Sequence, residues 1–226
     1  MTHTIVQTKQ AYAGASATTH SITLDAAATA GNMLLVILFG DKNMGTINTP
    51  TTSGVTPLTV IQQANLTSVS GGMAYKVANG GETTITWTWT NSRESCLYVF
   101  EISGLTSSPY DVSAMTASGD TAGKTKSTGT TATTAQADEL AVAVMMADTQ
   151  DNCSGGRSWS NSFTEYAHVN STSREGGSIA TKTLSATGTV ETTFTTTSTG
   201  DQMMAIVATF KIADEVVNTS GLLAMF

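Results

Sequence analysis

Three prolines, two cysteines and three histidines in 226 residues set the first limits on this chain. Two cysteines cannot build the disulfide framework of a small secreted scaffold. Cys96, inside an apolar run, and Cys153, in a polar stretch, are both read as free thiols. None of His3, His20 and His168 has a second ligand at the i+2 or i+4 spacing of a zinc site, so no metal and no cofactor is expected. Charge is scarce too: Asp, Glu, Lys and Arg make up 12% of the chain, about half the usual share. The ten basic residues are scattered against seventeen acidic ones, for a net charge of −7. Without a basic stripe, neither nucleic acid nor an anionic membrane surface is an expected partner. No apolar run is long enough to span a bilayer, and the opening residues lack the basic, apolar and small-residue succession of a signal peptide. Synthesis in the cytoplasm, without export or anchor, is the expectation.

Catalytic signatures are missing as well. There is no G-x-S-x-G elbow, P-loop, dinucleotide fingerprint or C-x-x-C, and serines are too common for any Ser-His-Asp assignment to carry meaning. Glu94, Glu101, Glu165, Glu175 and Glu191 could supply a glycosidase pair, but solvated surface is the default reading. A non-enzymatic protein is expected.

What the chain does have is threonine, roughly a fifth of its residues, and a hydrophobic content of 40%. Threonine is stiff at χ1 and suits pleated, half-exposed surfaces, so this is an all-β composition with enough apolar matter for a substantial core. Two runs organise it. Gly31 to Asp41 and Asp138 to Asp148 each open at a polar turn, hold about seven apolar residues without alternation, and close on an aspartate. Such runs read as central strands covered on both faces. They are related by an offset of 107. Gly71-Gly72 returns as Gly176-Gly177, and Ile85, Trp87 and Trp89 return as Val190, Thr192 and Phe194, both at an offset of 105. Each half ends in another apolar run, Cys96 to Ile102 and Met203 to Phe210. The series predicts two pseudo-repeats, about 12–104 and 112–213, forming one β-sandwich over 1–213, with a C-terminal arm over 214–226.

Between these runs, the segments near His3 to Gln7 and His20 to Leu24 read as edge strands, Lys42 to Thr56 as an exposed loop, and Thr83 to Thr90 as the cleanest alternating strand. Ser107 to Ala137 is a Ser/Thr/Gly/Ala-rich region, holding either strands paired through threonines or a crossover. Thr149 to Ser162 is a second long loop, placed like the first.

Four places are candidates for contact. Asp148-Thr149-Gln150-Asp151-Asn152 gathers oxygen ligands that suit calcium but lacks the spacing of a known calcium loop. Trp87 and Trp89 alternate with threonine and read as core, whereas Trp159, in a Ser/Gly/Asn loop, reads as a possible ligand contact such as a glycan. Leu222, Leu223, Met225 and Phe226 follow a Gly221 breaker and read as a subunit-docking arm.

The series G-N-M-L-L-V-I-L-F-G-D, G-G-M-A-Y-K-V, T-T-I-T-W-T-W-T and C-L-Y-V-F-E-I-S-G-L, with its second pass ending M-A-I-V-A-T-F-K-I, resembles the Thr/Ser/Gly-rich β-sandwich proteins of tailed-phage structural regions and bacterial genomes. The likeness spans residues 20 to 212 and is one of pattern, without a diagnostic motif. It implies a virion component, a capsid decoration or cement protein or a tail or fibre module, in a jelly-roll-like sandwich. Taken together, the expectation is an all-β, two-sheet sandwich that forms a homo-oligomer and binds other virion proteins, such as capsid or tail subunits. The alternative is a carbohydrate- or receptor-binding module using the loops Lys42 to Thr56 and Thr149 to Ser162.

Overall fold

An apolar strand with no alternation has two dry faces, and two dry faces need two covering layers. The computed structural model meets that demand by stacking sheets. It describes residues 2–53, 56–118, 123–148, 155–169, 175–200 and 202–214. The first half of the chain forms β1 (Thr4–Thr23), β2 (Met33–Gly40), β3 (Thr51–Thr52), β4 (Thr56–Pro57), β5 (Thr59–Asn65), β6 (Ser70–Val77) and β7 (Thr84–Ser103). The second forms β8 (Leu105–Ser118), β9 (Gly123–Ser127), β10 (Asp138–Asp148), β11 (Ser158–Trp159), β12 (Thr164–Val169), β13 (Glu175–Ser185), β14 (Thr193–Gly200) and β15 (Gln202–Ile212). Every strand pairing is antiparallel. The all-β sandwich class expected from the sequence is the class observed, with the strands shared among three sheets.

The inner sheets of the two halves have the same strand order along the chain. The first sheet runs β5-β6-β2-β7, with β1 on the far side of β7; the second runs β12-β13-β10-β15-β8. In the first half β1 and β7 are 20 residues each and continue past the inner sheet into an outer layer, where β3 joins β7. Register shifts near Ala13, Ala17 and Thr19 mark the bend, as bulges do. In the second half that outer layer is a separate three-stranded sheet, β11-β14-β9.

Among the described residues the result is four layers with apolar side chains packed at the three interfaces between them. Met33, Leu35, Ile37 and Phe39 of β2 face Leu140, Val142, Val144 and Met146 of β10 in the central core. The alternate residues Leu34, Val36 and Leu38 pack outward under Ile85, Trp87 and Trp89. On the other side, Ala141 and Ala143 pack under Phe163, Leu184 and Val190, and Met145 and Ala147 under Phe194. β2 is therefore buried along its whole length. An interlocked two-sheet sandwich would leave one face of each sheet wet, which an all-apolar strand disfavours by about 1.5–3 kcal/mol per large side chain.

Two sequence expectations are corrected here. Lys42 to Thr56 is not an exposed loop: Met44 and Ile47 are buried, Ile47 bridges Trp89, and Asn48 N–H donates to the Thr88 carbonyl at 2.9 Å. Two apolar side chains in a polar segment are enough to pin it onto the outer core. The offsets also shift. Gly71 lies opposite Phe39 and Gly177 opposite Met146, so Gly71 corresponds to Gly177 and not Gly176. Thr52 pairs Ile85 as Trp159 pairs Phe194, so the counterpart of Ile85 is Phe194 and not Val190.

Those two glycines hold the central core together. A Cβ on Gly71 would press on the Leu38 carbonyl and lie 2.5 Å from Met146 Sδ; one on Gly177 would press on the Met145 carbonyl and lie 3.2 Å from Phe39 Cε1. Each half's glycine makes room for the other half's large side chain, a reciprocal contact of the kind a two-fold axis produces.

Candidate functional site

The correspondence of the halves exposes a difference between them. Leu34 pairs Lys76 on β6, and Ala141 pairs Lys182 on β13, so the two lysines occupy equivalent places. The glutamates Glu82 and Glu191 are equivalent as well. Thr84 of β7 pairs Thr23 of β1, and Thr193 of β14 pairs Ser127 of β9; Ser53 N–H donates to the Thr84 carbonyl at 2.8 Å and Ser160 N–H to the Thr193 carbonyl at 3.0 Å. Glu82 and Glu191 each stand two residues before those positions.

In the first half the pair is closed. Lys76 Nζ lies 2.8 Å from Glu82 Oε1, and both side chains are nearly buried, at 11% and 7% exposure. Asn79 N–H and Gly80 N–H donate to the same carboxylate at 2.8 and 2.9 Å. Burial works to raise the Glu82 pKa, but the Lys76 hydrogen bond and the turn amides outweigh it and hold the group below the usual carboxylate range.

In the second half the pair is open. Three residues, 79–81, link Ala78 to Glu82, whereas six, 185–190, link Leu184 to Glu191. The longer link carries Glu191 away, and Lys182 and Glu191 form no ion pair with each other among the described residues. Between them lies a hollow of about 480 Å³, bordered by Thr130, Asn161, Ser162, Lys182, Thr189 and Glu191. Phe163, Leu184 and Val190 form its apolar floor. Lys182 Nζ donates to the Asn161 carbonyl at 2.9 Å and sits 5.9 Å from the centre of the Phe163 ring. Glu191 accepts from Ser127 Oγ at 3.2 Å and from Thr130 Oγ1 at 2.6 Å. Asn161 and Ser162, at φ 54° and 61°, are non-glycine residues in the left-handed region. Asn161 Nδ2 holds that turn in place by donating to the Glu191 carbonyl at 2.7 Å.

The remaining buried polar groups serve the fold. Glu101, on β7, accepts from Gln7 Nε2 at 2.6 Å, Thr29 N–H at 2.9 Å and Asn32 Nδ2 at 2.6 Å. Burial tends to raise its pKa, yet these donors win and lower it. The register puts Thr209 where Glu101 stands and Glu139 where Asn32 stands, so the second half carries its carboxyl on the neighbouring strand. Fully buried Glu139 accepts from Gln136 N–H at 3.4 Å on Oε1, and among the described residues its Oε2 and Thr209 Oγ1 meet no partner at good hydrogen-bond geometry. Burial, with the Asp111 carboxylate nearby, raises the Glu139 pKa. His20 Nδ1 lies 2.9 Å from Ser95 Oγ, and burial lowers its pKa.

Trp159 stands in β11 and not in a loop. It is half-buried, its ring meets Phe194 edge to face at 5.2 Å, and its Nε1–H donates to Ser178 Oγ at 2.8 Å. Trp87 and Trp89 are core residues, donating to the Asn48 and Ala17 carbonyls at 2.7 and 2.8 Å. Cys96 is buried. The proposed arm residues Leu222, Leu223, Met225 and Phe226 lie outside the described residues, as do 149–152 of the suggested calcium loop and Cys153. Among the described residues no group of three His, Cys, Asp or Glu side chains is placed to hold a metal ion, and no helix is long and apolar enough to cross a membrane. Glu191 was read only as one of five candidate carboxylates, and its pairing with Lys182 escaped the sequence reading because the fixed offset of 105 set Glu191 beside Thr86. Only the lengthened link gives the true match. The chain matches no protein-family model and no curated protein.

Proposed function

We propose that this protein is a non-enzymatic structural component of a phage particle that binds neighbouring virion subunits, with capsid decoration or cement as its specific role. The observation that carries this reading is where its exposed apolar side chains lie. Val6, 48% exposed, and Tyr166, 41% exposed, are the large hydrophobics left open among the described residues, and they stand on the edge strands β1 and β12. An edge strand presents unpaired backbone groups, and one that also carries an apolar side chain is suited to pairing with another chain. β1, at 20 residues, is a long edge of this kind, and β8, at 14, is a second long edge. Low charge and a threonine-rich surface support the same role, because contacts between many copies then carry little repulsion or desolvation cost. Leu222, Leu223, Met225 and Phe226 belong to the proposal as a docking arm.

The test is density-gradient fractionation of the source material with peptide mass spectrometry. Co-sedimentation with particles at high copy number is expected, and recovery only in the soluble fraction overturns the reading. Tyr166→Lys is expected to release the protein from particles while leaving its fold intact.

A further inference from the structure

We propose that the hollow between Lys182 and Glu191 is a binding site for a neutral saccharide unit. This reading stands apart from the virion role and holds whether or not that role is correct. Its starting point is the comparison within the chain: one lysine–glutamate pair occurs twice, closed on itself in the first half and held apart in the second by three additional residues. Opening such a pair removes a favourable contact unless something else takes its place.

The chemistry of the walls selects the occupant. An ammonium carries three donors, and the Asn161 carbonyl takes one from Lys182. The Glu191 carboxylate accepts two hydrogen bonds and has lone pairs left. A sugar hydroxyl donates and accepts at once, so a pair of them can satisfy both groups. The ring's C–H face then lies over Phe163, Leu184 and Val190. The hydroxyls of Thr130, Ser162 and Thr189 and the Asn161 amide complete a rim of mixed donors and acceptors. A volume of about 480 Å³ falls in the range of small-molecule sites. The neutral class is favoured because Glu191 repels an anion and Lys182 a cation, and Glu191 is exposed, where Coulomb attraction is weak. Charge-assisted hydrogen bonds to uncharged hydroxyls keep their strength there.

The full chain is titrated by calorimetry and saturation-transfer NMR with the methyl glycosides of glucose, galactose, mannose and N-acetylglucosamine, and with acetate and glycine as anionic and zwitterionic probes. Saturable binding of at least one glycoside in the millimolar range is expected. Lys182→Met and Glu191→Gln should each weaken it by about tenfold, and Thr189→Trp, which fills the hollow without removing either charge, should abolish it. These side chains lie at the surface, so unchanged thermal unfolding of the three variants serves as the folding control. Absence of saturable glycoside binding, binding that survives all three substitutions, or tighter binding of acetate or glycine than of every glycoside would each overturn the proposal.

Discussion

Glu101 and Glu139 are buried carboxyl groups on the outward faces of the two inner sheets, and their surroundings predict opposite responses to the same substitution. Glu101 is met by three donors, from Gln7, Thr29 and Asn32. In Glu101→Gln the new amide must turn N–H groups toward other N–H groups, losing at least one hydrogen bond to a charged acceptor, about 2–3 kcal/mol at neutral pH. Glu139 has an oxygen that, among the described residues, meets no partner at good hydrogen-bond geometry, and Asp111 as a neighbour. Glu139→Gln removes a buried charge and supplies donors for Asp111 and Thr209, a gain of about 1–3 kcal/mol where the parent is ionised. The pH dependence follows from the direction of each shift. The Glu139 pKa is raised in the fold, so its contribution is full below the usual glutamate range and is lost as pH rises through the raised value. The advantage of Glu139→Gln should therefore grow with pH and then level. The Glu101 pKa is lowered, so its contribution is full above the usual range and is lost as pH falls through the lowered value. The penalty of Glu101→Gln should shrink in acid. Urea unfolding between pH 4 and 9, followed by the fluorescence of buried Trp87 and Trp89, measures both. If Glu139→Gln destabilises the protein at neutral pH as Glu101→Gln does, or its gain is flat with pH, this account of the two sites is refuted.

Gly177→Ala should cost more than about 3 kcal/mol, since the added methyl meets the Met145 backbone as well as Phe39; Gly188→Ala, with nothing within 4 Å of its Cβ, should be neutral or mildly stabilising. Denaturant midpoints of the two variants check this difference. Lys76→Met leaves Glu82 without its partner in a nearly buried site and should cost about 3 kcal/mol, while its counterpart Lys182→Met should cost less than about 1 kcal/mol by thermal unfolding. Truncation after Ala213 should lower the oligomeric state measured by analytical ultracentrifugation; an unchanged state would remove the arm from the proposed function.

The two apolar runs could be recognised from the sequence because burial on both faces removes alternation, and the structure places both at the centre of their sheets. Trp87 and Trp89 were legible as core for the converse reason: strict alternation with threonine divides a strand into a dry and a wet face. Trp159 was not. Its neighbours Ser158 and Ser160 look like a loop, and only pairing with Phe194 makes it a strand residue. Met44 and Ile47 were hidden in the same way inside a polar segment.

The sequence by itself determined the all-β class and the two central strands, since these follow from local periodicity and composition. Tertiary structure decided the four-layer stacking, the exchange of Gly71 and Gly177 for Met146 and Phe39 across the central core, and the hollow beside Lys182. Each depends on how far apart two segments lie after folding, and a change of three residues in one link moves a glutamate out of reach of its lysine without disturbing the pattern around it.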